Sequence, residues 1–211
     1  MKIGIIGGGV VGSATAKSFI EHVDEVRVYD VVKERRTHDM AQALSCDLVM
    51  ICLPTPQKKD LFECDTSALE NFFAQVSSYY SGVNFVIRST VPVGFTRRMV
   101  GEYGLKNLVH SPEFLTARCA TVDAQIPSRN IIGWPIPDGV NCLESLATLY
   151  QDRWPHVPLL AMKSDESEAV KLIQNAFFAT KVAFWNEVHA FCSAAKLDWE
   201  KVRSAILADG R

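Results

Sequence analysis

Gly7-x-Gly9-x-x-Gly12 is the spacing at which glycines bring a backbone close to a pyrophosphate. An apolar stretch, Ile3-Gly4-Ile5-Ile6, runs into it, and a helix-like stretch from Ser13 to Glu21 runs out of it. Gly7 permits the tight turn, Gly9 admits the phosphates, and Gly12 lets the helix pack against the strand. Val10 and Val11 stand between them and join the residues expected to contact the cofactor, because a helix N-terminus presents free N–H groups and a partial positive charge. Asp30 closes a second strand, Glu25 to Tyr29, about 20 residues further on. A carboxylate there accepts hydrogen bonds from ribose hydroxyls and repels a 2′-phosphate, so NAD is the predicted dinucleotide. Arg35 and Arg36 keep NADP as a minor alternative, since arginines at this point can hold that phosphate.

A second set of residues suits hydride chemistry. Lys171 and Asn175 are spaced i, i+4 and share one helix face. Around them stand Ala169, Val170, Leu172, Ile173, Ala176, Phe177 and Phe178. A lysine and an asparagine buried in so apolar a stretch require partners; the plain alternative is a lysine reaching out to solvent and an asparagine capping a turn. Beside a nicotinamide, the ammonium and the amide would stabilise the alkoxide that forms as hydride leaves a carbinol carbon. Three more segments follow strand patterns: Cys52 to Pro56, Arg88 to Gly94 and Ser111 to Leu115. In an open α/β sheet such segments rim one crevice. Thr55 and Thr90 can bond the cofactor or an ordered water, and Glu113 can act as a general base or hold a water. Any one of them alone reads as a proline turn with a capping hydroxyl; it is the set that points to a site. His110, just after a strand, is a weaker catalytic candidate, and Lys181 and Glu187 read as a solvated helix edge.

These residues need an alternating scaffold. Strand patterns at Asp47 to Leu53, Asn84 to Arg88, Asn107 to His110, Asn130 to Gly133 and Val157 to Leu160 alternate with helix patterns at Thr66 to Tyr80, Thr96 to Tyr103 and Leu143 to Gln151. Asp65 is the expected N-cap of the first of those helices. The alternation predicts a Rossmann-like, doubly wound parallel sheet. From Asp165 the pattern changes to one long helix reaching about Ala195, then a second, Trp199 to Leu207, after the N-cap Asp198. The expected division is a dinucleotide-binding domain over 1–163 and an all-helical tail over 164–211.

Bulk properties narrow the function classes. The chain has 211 residues, 48% hydrophobic and 22% charged, with net charge -2. That suits a globular chain with a sizeable core and points to neither nucleic acid nor a membrane surface as partner. The start reads as a strand rather than a secretion signal, and the apolar runs fall short of the roughly 20 residues that span a bilayer. The six cysteines (Cys46, Cys52, Cys64, Cys119, Cys142, Cys192) lack metal-like spacing. Reduced thiols and a cytoplasmic location are the expectation.

Together, Gly7-x-Gly9-Val10-Val11-Gly12, Leu53-Pro54-Thr55-Pro56, Ser89-Thr90-Val91-Pro92-Val93-Gly94, Ser111-Pro112-Glu113-Phe114-Leu115, and Glu168 to Phe177 followed by Lys181 to Glu187 resemble the UDP-glucose/GDP-mannose dehydrogenase family. The resemblance runs in order over essentially the whole chain. It implies an NAD-dependent oxidation of a nucleotide-sugar alcohol to a carboxylate in two hydride transfers. By position, it implies that Asp30, Arg35, Thr55 and Thr90 contact NAD and that Thr90 also positions a catalytic water. Glu113 would take part in proton transfer and, with Phe114 and Leu115, contact the sugar. Lys171 and Asn175 would stabilise the oxyanion. Arg211 matches an arginine that reaches a neighbouring subunit's sugar site.

The departures concern the second oxidation. The family's thiol nucleophile lies in a glycine-rich loop just beyond the position of Arg211, and a C-terminal nucleotide-binding domain follows it; the resemblance is therefore to a short form. A thiolate is needed to trap the aldehyde before the second hydride leaves, so the expectation is machinery for the alcohol-to-aldehyde step. Ala117 stands where the family has a second acid, Val10 replaces an aromatic, and the link from Asp30 to Asp47 is short. Three readings compete: a minimal or partner-completed dehydrogenase, a module that binds NAD or a nucleotide sugar without turnover, and a small hydroxyacid dehydrogenase. Ser111 to Leu115 disfavours the third, and the joint presence of Thr90, Glu113, Lys171 and Asn175 favours the first. Phe177, Phe178, Phe184, Trp185 and Phe191 make the long helix apolar on more sides than one sheet face covers, so a homodimer is expected.

Overall fold

Strands β1 (Lys2–Ile6), β3 (Leu48–Ile51) and β4 (Asn84–Ile87) are nearly continuous apolar runs, and nearly all of their residues are buried. That is the pattern of strands covered on both faces. The structure, a computed structural model, describes residues 1–59, 63–80, 82–135 and 141–209. Among these residues the remaining strands are β2 (Glu25–Tyr29), β5 (Leu108–His110), β6 (Asn130–Trp134) and β7 (Leu159–Lys163). They form one seven-stranded sheet in the order β2-β1-β3-β4-β5-β6-β7. The chain leaves β1 toward β2 and returns on its other side to β3. The carboxyl ends of β1 and β3 therefore border the crevice in which such sheets bind ligands.

Helices cover both faces. On one side α2 (Met40–Leu44), α3 (Ser67–Val76) and α4 (Phe95–Tyr103) enclose Val49, Ile51, Phe85, Ile87 and Leu108. Phe72 and Phe73 meet Phe85 edge-on there, with ring centroids 6.0 Å apart. On the other side α1 (Val10–Phe19) and α6 (Asn141–Arg153) pack over Ile3, Ile5, Leu48, Met50 and Val86. Alternate residues of each strand thus feed opposite cores.

The sheet is parallel except where β5 meets β6. The connection from Ser111 runs through α5 (Ala120–Gln125), which lies against α1, and enters β6 with His110 opposite Gly133. The chain does not cross back to the amino ends of the strands, so β6 runs the other way and keeps the 111–129 segment near the site. Boundaries shift in understandable ways. Helix α1 begins at Val10, inside the glycine loop, and α3 stops at Val76. The N-cap of α3 is Thr66, while Asp65 accepts from the Ser67 N–H one position earlier, at 3.0 Å. The short link after Asp30 holds a 3-10 turn, Lys33–Arg35, and α2, whose Asp39 and Gln42 form a capping box. These elements and α5 are too short for periodicity to reveal.

Two compact units emerge, 1–172 and 173–211. Helix α7 (Ser164–Ala194) follows β7 directly and runs through both. The second unit is the rest of α7 and α8 (Trp199–Leu207), joined by a turn with Lys196 at φ 56. Trp199 meets Trp185 and His189 edge-on at 5.8 and 5.1 Å, and Asp198 caps α8 by accepting from the Lys201 N–H. Ile173, Phe177, Phe178, Val182, Phe184 and Phe191 are exposed. Among the described residues no helix is long and apolar enough to cross a membrane.

Candidate functional site

A cleft of about 450 Å³ opens beyond the carboxyl ends of β1, β2, β3 and β4, and Glu113, just past β5, completes its rim. The glycine loop forms its floor, and each glycine there does something different. Gly7 has φ +99, donates its N–H to Tyr29 O at 2.8 Å, and has no room for a Cβ, which would lie 2.4 Å from Cys52 O. A Cβ on Gly12 would lie 1.8 Å from Gly7 O, so the start of α1 can approach β1 only because residue 12 is glycine. Gly9 differs: a Cβ built there meets nothing within 4 Å. No protein packing demands a glycine at position 9, and the space its side chain would fill belongs to the cleft. Gly9 also serves as N-cap of α1 without a side-chain bond, so the first-turn N–H groups at Val10 and Val11 are offered to an anion. These residues fit a dinucleotide pyrophosphate.

Asp30 accepts from the Gly8 N–H through Oδ2 at 2.6 Å and from the Val32 N–H through Oδ1 at 2.8 Å. It pins the glycine loop to the end of β2. A carboxylate has about four acceptor positions, so two remain for ribose hydroxyls. Arg35 lines the same end of the cleft from the 3-10 turn, with its backbone packed on Gly8.

Across the cleft, Thr55 donates to Thr90 O at 2.7 Å and Ser89 to Leu53 O at 2.7 Å, which laces the β3 and β4 ends together. Lys171, 5% exposed, donates to Glu113 Oε1 at 2.9 Å and to Glu113 O at 2.6 Å. The other carboxylate oxygen of Glu113 accepts from the Leu115 N–H at 2.6 Å. Phe114 sits beneath the Lys171 ammonium, with ring centroid and nitrogen 5.5 Å apart, and Arg129 lies over the same ring at 4.1 Å. The buried lysine has thus found the partners its surroundings require. One of its three donors is left over.

The structure brings Gly7, Gly9, Val10, Val11, Asp30, Arg35, Thr55, Thr90 and Glu113 to one cleft, with Gly12 behind the loop and Lys171 bonded to its rim. Asn175 lies one helical turn beyond Lys171, in the second unit. Arg211 lies outside the described residues. His110 is not part of the cleft lining. It is fully buried, its Nδ1 stands 2.7 Å from Ser167 Oγ, and burial drives its pKa down to about 3. It is a neutral tie between β5 and the start of α7. Cys52 lines the cleft, but burial pushes its thiol up to about 12, far from a reactive thiolate.

Sequence reasoning passed over two charged residues. Arg88 lines this cleft and a second cavity of about 210 Å³ behind the Glu113 loop, and donates to Tyr150 Oη at 2.8 Å. A charged residue closing the apolar strand Phe85-Val86-Ile87 was the available signal. Glu168 is fully buried and accepts three hydrogen bonds from the segment that follows Thr90. Its partners are more than 70 residues away in sequence, beyond the reach of local pattern.

Residues 31–153 match the NAD binding domain of the UDP-glucose/GDP-mannose dehydrogenase family, and residues 165–211 match its central domain. The chain belongs to this family. Among curated relatives, UDP-glucose 6-dehydrogenase of Campylobacter jejuni is 30% identical, covering all of this chain and 61% of the relative. The Streptococcus pneumoniae enzyme of the same name is 28% identical, over all of this chain and 62% of its own length. The crystal structure of a ternary complex of GDP-mannose dehydrogenase from Pseudomonas aeruginosa superposes over the full chain with a TM-score of 0.84 at 22% identity, covering 57% of that protein. The chain spans about three fifths of the length of these relatives. NAD is the family's dinucleotide, and the cleft holds residues to receive it.

Proposed function

We propose that this chain oxidises the primary alcohol of a nucleotide sugar with NAD, and that its own residues serve the alcohol-to-aldehyde step. The observation that carries this reading is the largely buried Lys171–Glu113 pair, whose Glu113 lines the dinucleotide cleft that Thr90 also lines. Bound NAD would supply the hydride acceptor. The pyrophosphate would rest on the Gly7 to Gly12 loop and the α1 N-terminus, with Asp30 and Arg35 at the ribose and Thr55 and Thr90 on the opposite wall. Lys171 would turn its spare N–H toward the substrate oxygen and stabilise the negative charge that grows there. Asn175, at i+4 on the same helix, would add an amide donor. As the C–H bond gives up hydride, the O–H proton would pass through a water held by Thr90 to the Glu113 carboxylate. Phe114 and Leu115 would contact the sugar, and Arg211 a neighbouring subunit's sugar site.

A second oxidation needs a thiolate to hold the aldehyde. Cys52, which lines the cleft, is unsuited to that task, so we do not assign that step to it. We further propose that residues 1–163 act as the dinucleotide-binding domain, and that 164–211 form a dimerisation segment whose exposed aromatic face meets a second copy. The alternative is a module that binds NAD or a nucleotide sugar without turnover, or a subunit completed by a partner chain.

Calorimetry with NAD, followed by nicotinamide absorbance with UDP-glucose, UDP-galactose and GDP-mannose, tests the proposal. Binding with reduction of NAD by one of the sugars supports it. Binding without reduction selects the binding module, and absence of NAD binding overturns the cleft assignment.

A further inference from the structure

Helix α4 begins immediately after the segment that carries Thr90, and its N-terminus lacks a side-chain cap from its own sequence. Gly94 is the N-cap residue and has no side chain to give. Glu168, from the first turns of α7, supplies the missing acceptor. Its Oε2 accepts from the Gly94 N–H at 2.6 Å, and its Oε1 accepts from the Thr96 N–H at 2.8 Å and the Thr96 hydroxyl at 2.6 Å. A carboxylate at a helix N-terminus also meets the favourable end of the helix dipole. Glu168 and Thr96 are both fully buried, so the contact is shielded from solvent. Burial holds the Glu168 pKa above its ordinary value, while the three donors pull it down.

Lys171 lies three residues after Glu168 on the same helix. Glu168 fixes α7 to the Thr90 segment, and Lys171 fixes α7 to Glu113. Thr55, bonded to Thr90 O, closes the arrangement on the β3 side. We propose that Glu168 is a positioning residue for the reaction: by capping α4 from α7, it sets where the Lys171 ammonium stands relative to Thr90 and Glu113. This rests on the catalytic reading of Lys171 given above. A cap drawn from α4's own neighbours would stabilise that helix equally well without tying it to the lysine, and no such local cap is present.

Glu168→Gln keeps the shape of the side chain but turns one acceptor into an N–H₂ group facing a donor. The expected result is a kcat lower by about 10- to 100-fold, the scale of a small misplacement of a catalytic group, with NAD affinity and the sugar KM nearly unchanged. Independently of turnover, nitrogen NMR of the Lys171 ammonium, assigned by its loss in Lys171→Met, should show proton exchange with water faster by about tenfold or more, as a loosened local contact requires. Thr96→Val, which removes one donor and preserves volume, should move both readouts the same way by less. Thr96→Ser, which restores the hydroxyl, should return them to the parent values, and the Thr96 pair carries the test if Glu168→Gln fails to fold.

A lowered melting temperature with unchanged kcat and unchanged Lys171 exchange overturns the proposal and leaves Glu168 as a helix cap alone. If the parent chain reduces no NAD, the catalytic reading fails, and the exchange measurement by itself decides whether Glu168 positions the lysine.

Discussion

Lys171 and Glu113 make a pair whose side chains are 7% and 12% exposed. Removing one member of such a pair leaves an uncompensated charge, which typically costs about 3–5 kcal/mol. Lys171→Met retains the packing of the stem, so its expected phenotype is twofold: kcat falls by about 100- to 1,000-fold, as when an oxyanion donor is lost, and stability drops. NAD affinity, read by calorimetry, should persist. Glu113→Gln added to Lys171→Met should restore much of the stability and none of the turnover. Unchanged turnover in Lys171→Met would refute the oxyanion role. The glycines separate in the same way. Gly9→Ala meets no protein atom within 4 Å, so thermal melting should be near the parent value while NAD binding weakens strongly. Gly12→Ala sets a methyl 1.8 Å from a backbone oxygen and should lower stability and binding together. Asp30 was legible as a candidate for the ribose from its place after β2, but its bonds to the Gly8 and Val32 N–H groups were not. Asp30→Ala is therefore expected to disturb the loop as well as the proposed ribose contact, which thermal melting and NAD calorimetry read separately. Short-range spacing exposed the glycines, Asp30 and the Lys171–Asn175 face, because those patterns fit within a few turns of chain. Arg88 and Glu168 escaped notice because their roles depend on partners that only the fold brings near.

At the scale of elements, the alternation of strands and helices was readable because buried parallel strands are apolar throughout and helices repeat every few residues. The reversal of β6 was not, since nothing in Asn130 to Trp134 records the direction of its neighbour. The start of α7 is held against the sheet by contacts of the same hidden kind. Gly133 makes room for Ser167, whose Oγ would lie 2.1 Å from a Cβ there. Ser167 Oγ stands 3.0 Å from Ser164 O and 2.7 Å from His110 Nδ1, which ties β5 to the start of α7. A buried neutral histidine has a pH consequence. Its folded pKa, about 3, is below the ordinary 6.5, so between those values the unfolded chain binds the extra proton. Stability from this group is complete above pH 6.5 and declines as pH falls toward about 3. Denaturant titrations at a series of pH values should show that slope in the parent and a flatter one in His110→Gln. An equal slope in both would assign the acid sensitivity to other groups.

For the whole molecule, the long helix was visible from the change of residue pattern at Asp165, and its surplus of aromatic residues from the sequence within it. Phe177, Phe178, Phe184 and Phe191 are between 49% and 64% exposed in the single chain. A patch of that kind calls for cover. Sedimentation velocity should show a dimer at micromolar concentration, and Phe184→Glu should shift it toward monomer; a parent chain that remains monomeric across the range would end the dimer proposal. A different consequence follows from how far apart in sequence the ties of the site are. Glu113 waits 58 residues for Lys171, and Thr96 waits 72 for Glu168. Contacts between distant residues form late, because loop closure must precede any gain from them. During synthesis, a chain that has emerged only as far as β6 carries Glu113 before its partner Lys171 exists. Without that partner the carboxylate is better hydrated than buried. The residues that begin α7, the last part of the first unit to be made, bring both ties, so the order of translation leaves the Lys171–Glu113 pair incomplete until nearly all of that unit exists.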